Sequence, residues 1–297
     1  MISKKLNTEI TRNISESNLG VRDESPEDSL SFISSDKYLR SQAAYYVSVM
    51  NQLKINPTAK KILEIGSGYC FFLVYAYKTL KWDIYGIEPG KDEFEGRCGL
   101  ALSYLKENGV NKERLMTSFG EDSTLPSNCY DVIISNDVLE HVRDVADTID
   151  MAFRVLKPGG VMIFNIPNYR WFYEGHYNIV WLPFLSKTMA KKYVRLWGRD
   201  PRFIEYLNFL TPRIIKQIVQ SIPNMNFCLP LEYKTAEFMA ERANAYVESK
   251  GKKNVKPLIK LLTLIASLKT FRIFMGGFSK LTGCYHEMHM VVTKSTD

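Results

Sequence analysis

A doubly wound α/β sheet with helices on both faces is the fold this sequence predicts, and three observations predict it. Between Lys61 and Asn165, strand-like and helix-like segments alternate five times within about 105 residues, the rhythm of a parallel sheet. Asp131–Ser135 (DVIIS) is a continuous apolar run, as a strand buried on both faces requires. Lys61–Ile65 leads straight into the turn Gly66-Ser67-Gly68, where glycines let a ligand approach backbone that a side chain would block.

Composition sets the outer bounds. The 297 residues, 45% hydrophobic and 24% charged, suit one large globular unit with insertions. A net charge of +7 leans toward anionic partners. The cysteines (Cys70, Cys98, Cys129, Cys228, Cys284) are odd in number and form no C-x-x-C pair. That argues against a disulfide framework or structural zinc and suits a reducing cytoplasm. No signal-peptide pattern opens the chain, and no apolar run reaches the ~18 residues of a spanning helix.

Residues 1–35, rich in Ser, Glu, Asp and Asn, read as a flexible tail or loosely docked arm. Residues 36–168 form the core. Tyr38, Leu39, Tyr45, Tyr46, Val49, Met50 and Leu53 fall at helical spacing between Asp36 and Lys54. Strand Lys61–Ile65, the glycine turn and a helix from near Cys70 to about Leu80 follow. Asp83–Glu88 is a second strand closed by Pro89-Gly90, then comes a helix from about Lys91 to Asn108. Residues 114–118 make a third strand, Asp131–Ser135 a fourth, and Asp144–Leu156 an amphipathic helix. Lys157-Pro158-Gly159-Gly160 stops that helix and turns into a fifth strand, Val161–Asn165.

Beyond Asn168 the alternation breaks. Residues 169–210 are an aromatic and basic insertion on the expected substrate side, whose rings suit sugar stacking or a helical subdomain core equally. Residues 211–234 return to the core, with Thr211-Pro212 capping a helix to about Ser221 and a strand from Met225 to Glu232. Residues 235–285 read as a basic helical insertion, and 286–297 hold a last strand, Glu287–Thr293, and the tail.

Ligands of open α/β sheets bind beyond the carboxyl ends of the strands. Glu64 and the glycine turn lie at the first such end, Glu88 at the second, Glu121-Asp122 at the third and Asn136-Asp137 at the fourth. Glu88, about 20 residues after Gly68, can accept hydrogen bonds from both hydroxyls of a ribose. A dinucleotide site wants a third glycine where Phe71 stands, and a basic group for the pyrophosphate. A cofactor carrying adenosine without phosphate, and cationic at its reactive centre, fits better: S-adenosylmethionine.

The runs ILEIGSGYCFFL, GIEP, FGEDSTLP, YDVIISNDVLEHV and RVLKPGGVMIFNIPN resemble the class I S-adenosylmethionine-dependent methyltransferases, nearest their small-molecule, lipid and sugar branch. The resemblance implies a Rossmann-like, mostly parallel sheet of seven strands whose last strand is antiparallel. It places Glu64, Gly66, Ser67, Gly68 and Tyr69 around the methionine part of the cofactor, and Glu88 with Pro89 at the ribose. Glu121 and Asp122 fall at the adenine, Asn136 at the methionine end and Asp137 near the methyl group. Cys70-Phe71 depart from the smaller residues common there.

Methyl transfer from a sulfonium is an in-line displacement that needs alignment, and an alcohol acceptor also needs a base. His141, after the fourth strand, and His176 with Glu174, in the loop beyond the fifth, are the catalytic candidates. His286 and His289 read as structural. No His/Cys/Asp/Glu group has metal-ligand spacing, so no metal is expected. The expected acceptor is a small molecule, sugar-like or lipid-like, methylated on oxygen. Ser249–Tyr285, with eight basic residues and no acid, suits peripheral contact with an anionic membrane, recruitment of a phosphorylated acceptor, or a basic cap on the sheet. Two other readings keep the fold: a nucleic-acid methyltransferase, and a cofactor-binding interaction protein without catalysis. Ser135-Asn136-Asp137-Val138 lacks the N/D-P-P-Y/F signature of base methylation, and the intact strand-end acids count against the second.

Overall fold

The computed structural model of the chain describes residues 2–17, 25–90, 95–120, 124–223, 225–228 and 282–296. Three helices come first: α1 (Lys4–Ser17), α2 (Pro26–Ile33) and α3 (Asp36–Gln52). The alternating core follows as β1 (Lys61–Ile65), α4 (Phe71–Lys78), β2 (Asp83–Ile87), α5 (Arg97–Glu107), β3 (Leu115–Met116), β4 (Tyr130–Asn136), α6 (Val145–Val155) and β5 (Leu156–Pro167). A small hairpin, β6 (Tyr173–Glu174) and β7 (Ile179–Val180), leads to α7 (Lys187–Leu196), α8 (Pro212–Ser221), β8 (Met225–Cys228) and β9 (Glu287–Lys294).

The main sheet runs β3-β2-β1-β4-β5-β9-β8, and β9 alone runs against the other six strands. β1 has β2 on one side and β4 on the other, so the strand order reverses beside it and a crevice opens at the carboxyl ends. Alternation along the strands splits the core into two layers. Ile62, Ile84, Val132, Ile134 and Val161 join α1, α3, α4 and α5 on one face. Leu63, Ile65, Ile133, Met162 and Phe164 join α6 and α8 on the other. Capping follows the sequence: Ser35, Asp144 and Thr211 each accept the N–H three residues on, at the starts of α3, α6 and α8.

The structure differs from expectation in two places. The amino-terminal segment is not a tail: α1 and α2 are helices, and Leu6, Ile10 and Leu30 are buried in the same cluster as β1. Leu6, Ile10 and Ile14 recur every four residues, one apolar stripe inside a polar composition. β5 begins at Leu156, five residues early, because Lys157–Gly160 stays in the ladder across a register shift between Tyr130 and Val132, with Gly159 at φ +75°.

The 169–210 insertion builds its own core from Tyr169, Tyr177, Trp181, Val194, Ile204 and Leu207, while Phe184 and Trp197 stay exposed. All but the last four residues of the basic stretch Ser249–Tyr285 lie outside the described residues, and so do its proposed membrane contact and the start of the helix expected from Lys91. No helix among the described residues is long and apolar enough to cross a membrane.

Ile10 is 0% exposed within the main cluster. Ile10→Ala is therefore expected to lower the unfolding free energy by about 2–4 kcal/mol in urea titration. A loosely docked arm would leave the midpoint unmoved.

Candidate active site

The glycine turn after β1 is shaped by two close contacts. Gly66 sits at φ +77°, and a Cβ there would stand 2.3 Å from Val138 Cγ2. Gly86 in β2 is as constrained, since its Cβ would meet Ser67 Oγ at 2.1 Å. The Gly66 and Ser67 N–H groups donate to Ile87 O at 2.9 and 3.0 Å, which holds the turn against β2. Gly68 is different: at φ +54° it has nothing within 4 Å of where a Cβ would be, so the turn opens there. The third-glycine position is filled by packing instead. Cys70 is fully buried at φ +64°, and Phe71 packs edge-on against Tyr104 at 4.9 Å.

Two acids adjoin this turn. Glu88, 3% exposed, accepts the Gly68 N–H on Oε2 at 2.8 Å, while its Oε1 stands 4.0 Å from Arg97 Nη1. Burial raises its pKa, with Arg97 and the Gly68 bond pulling the other way. Glu64 as a residue keeps some exposure, but its Oε2 is fully covered and has no hydrogen-bond partner among the described residues. Burial lifts its carboxyl to about 8, opposed by Ser67 and reinforced by Glu88. Pro89 follows, half-buried. Glu121 and Asp122 lie outside the described residues.

Sequence reasoning missed the rim. The Tyr69 hydroxyl donates to Asn13 Oδ1 at 2.7 Å, and Asn13 Nδ2 donates to Glu95 O at 2.9 Å. Arg97 stacks over the Tyr69 ring at 5.3 Å. α1 thus reaches the glycine turn, although residues 1–35 read in sequence as a flexible tail or loosely docked arm. Its signal in sequence was the Leu6-Ile10-Ile14 stripe, which puts a helix there but not its docking place.

At the end of β4, Asn136 Nδ2 donates to Asp137 Oδ2 at 2.7 Å and its Oδ1 accepts from Asn165 Nδ2 at 3.0 Å. Asp137 adopts φ +53° and its N–H donates to Asn165 O. That left-handed residue turns the chain so that Val138 fills the space over Gly66 and His141 N–H bonds Val138 O at 2.8 Å. Asn208 of the insertion clamps the same turn. Its N–H donates to Glu140 O at 2.7 Å and its side-chain amide to Val142 O at 2.7 Å.

This turn presents a second constellation. His141 Nε2 lies 3.1 Å from His176 Nε2, with the rings nearly perpendicular at 87° and Phe203 packed against both. Glu174 Oε1 is 2.6 Å from His176 Nδ1, and Glu174 Oε2 accepts the Tyr177 N–H at 2.7 Å. Burial pushes the Glu174 carboxyl up, but His176 and these hydrogen bonds outweigh it and leave it below its usual value. Glu140 is 0% exposed, and neither carboxylate oxygen has a hydrogen-bond partner among the described residues. One ligand atom each from Glu140, His141 and His176 lie within 4.8 Å of one another. Metal-ligand spacing was invisible in sequence because 35 residues separate the two histidines. His286 pairs with Glu287 at 3.2 Å, and His289 packs on Tyr45 at 4.7 Å. A hollow of about 480 Å³ lined by Tyr77, Trp82, Asp83 and Arg114 opens at the amino end of β2, the opposite end of the sheet.

Residues 37–222 match the family model described as a methyltransferase domain. The chain is similar to the ubiquinone biosynthesis O-methyltransferase of Pseudomonas fluorescens (strain Pf0-1), 32% identical over 116 residues, 39% of this chain and 47% of that one. It is likewise similar to the protein of that name from Saccharophagus degradans, 32% identical over 109 residues, 37% and 44% of the two chains. The chain thus spans about half the length of these curated relatives. Among solved structures, a Haemonchus contortus phosphoethanolamine N-methyltransferase 2 in complex with S-adenosyl-L-methionine aligns at TM-score 0.47 and 14% identity, over 89% of this chain and 59% of that one. With its methyltransferase domain spanning more than half of its length, the chain belongs to the class I S-adenosylmethionine-dependent methyltransferase family.

Proposed function

We propose that the protein transfers a methyl group from S-adenosylmethionine to a hydroxyl oxygen of a small, sugar-like or lipid-like acceptor. The observation that carries this reading is the pairing of the open Gly68 backbone with the buried Glu88 and with Glu64, whose Oε2 has no hydrogen-bond partner among the described residues. When bound, the cofactor supplies an electrophilic methyl on a sulfonium. Glu64 Oε2 suits its ammonium group. Glu88, whose Oε1 is too far from Arg97 for a hydrogen bond, suits the ribose hydroxyls. Gly66, Ser67, Gly68 and Tyr69 wall the methionine end, with Pro89 beside the ribose and Asn136-Asp137 closing the side toward the acceptor.

Removal of the acceptor's proton falls to the second constellation, with Glu174 orienting His176 and His141 opposite it. The turn that fills the space over Gly66 also carries His141, so donor and acceptor sides share one piece of backbone. The ubiquinone-pathway names of the relatives support an oxygen acceptor. The 169–210 insertion lies on the acceptor side because it supplies Glu174 and His176.

Calorimetry with S-adenosylmethionine tests the cofactor assignment. One site per chain is expected, weakened about tenfold or more in Glu88→Gln, since a bond to a charged acceptor is lost. Absence of binding by the unmutated protein contradicts the reading. The pH profile gives an independent check. With its carboxyl near 8, Glu64 is protonated in the free protein at neutral pH. A cationic ligand favours the carboxylate, so binding releases a proton, and affinity rises with pH through the neutral range toward about 8, where the ligand's own ammonium begins to lose its proton. The slope is at most about tenfold per pH unit for one proton. Glu64→Gln is expected to flatten the profile, and an unchanged slope would place the proton elsewhere.

A further inference from the structure

We propose that Glu140, His141 and His176 form a site for one divalent first-row transition cation of the Zn2+ class, beside the acceptor position. Three independent features of the structure point there. First, the two Nε2 atoms are 3.1 Å apart, within hydrogen-bonding distance of each other. Tetrahedral bonds of about 2.0–2.1 Å set neighbouring ligand atoms about 3.3–3.4 Å apart. The histidine pair therefore already has nearly the separation that a shared ion requires.

Second, Glu140 is wholly buried next to this point, with Oε1 3.7 Å from His141 Nε2 and neither oxygen hydrogen-bonded among the described residues. A buried carboxyl with no hydrogen bond among the described residues is costly to keep, and a cation at this point offsets that cost. The three ligand atoms fall within 4.8 Å of one another, so a side-chain adjustment of about an ångström brings Glu140 into the shell. Third, the outer support is present. Glu174 holds His176 Nδ1 at 2.6 Å, which leaves Nε2 as the donor toward the ion, the carboxylate–histidine arrangement that orients metal ligands. Glu174 is itself fixed by the Tyr177 N–H, and Phe203 shields both rings.

Two imidazoles and one carboxylate leave a fourth position open. This deepens the proposed methyl transfer and rests on it: an acceptor hydroxyl in that position becomes a stronger acid. The O–H bond breaks with its proton passing to solvent, the new O–CH3 bond forms, and the methyl–sulfur bond breaks to leave the neutral thioether. His176 is then a ligand rather than the base.

The test uses the full chain, freed of any affinity tag and stripped with a chelator. Co2+ alone is titrated in and read by visible absorption, and Zn2+ alone by calorimetry. The expected result is one ion per chain, with the intense visible bands of four-coordinate Co2+ and their loss when Zn2+ is added. His176→Gln and Glu140→Gln are each expected to weaken binding at least about tenfold, and Glu174→Gln about 10–100-fold with stoichiometry kept. Zn2+ is also expected to raise the melting temperature of the unmutated protein and not that of folded His176→Gln. No ion bound, or an ion bound equally by His176→Gln and Glu140→Gln, overturns the metal site. Calorimetry with S-adenosylmethionine on the same samples separates the two readings. Cofactor binding without metal binding overturns this inference alone, and loss of both overturns the methyltransferase reading as well.

Discussion

The contact between Gly66 and Val138 is the constraint on which the site depends. β1 and β4 are neighbours in the sheet, and their carboxyl ends must part for a ligand to enter. Asp137 in the left-handed region sends the β4 end back over β1, and Val138 lands where any Cβ on residue 66 would stand. A side chain there forces the two loops apart and moves both halves of the site together. Gly86 supports the same turn from the other side by making room for Ser67. Gly66, just beyond β1, and Gly86, in β2, thus set the floor, while the third, Gly68, leaves the opening.

The acids around this floor differ by what they touch. Glu88 is engaged by the Gly68 N–H, and Glu174 by His176 and Tyr177, so each is held in one orientation. Glu64 and Glu140 keep buried oxygens with no hydrogen-bond partner among the described residues. Packing alone would replace such groups with apolar ones, since an unsatisfied buried carboxyl opposes folding. Glu140 belongs to the Asp137–Val142 turn and Glu64 to β1 next to it, and the two proposals put a cation at each: an ammonium-bearing cofactor at Glu64 and a metal ion at Glu140.

Much of this was legible in the sequence because it is local. The apolar run of β4, the glycine turn and the acid that ends β2 each announce themselves within a few residues, and the alternation of elements orders them. Glu174 and His176 are two residues apart, so their pairing could be anticipated. What was hidden depends on tertiary docking. The polar composition of residues 1–35 masked the Leu6-Ile10-Ile14 stripe, and nothing local says that Asn13 reaches Tyr69. Asn208 clamps a turn more than 60 residues away, and His141 meets His176 only once the insertion folds back over β4. The aromatic segment 169–210 was readable either as a stacking wall or as a core, and burial decides for a core with an exposed fringe.

The division of labour between the two half-sites can be measured in one assay. Incubating the protein with S-adenosylmethionine radiolabelled on its methyl group and a small-molecule extract is expected to put label into a low-molecular-weight product as a methyl ether. The label should be lost with His176→Gln, which retains cofactor binding by calorimetry. Label appearing in nucleic acid, or no transfer despite tight cofactor binding, would contradict the assignment of a hydroxyl acceptor to the His141–His176 side.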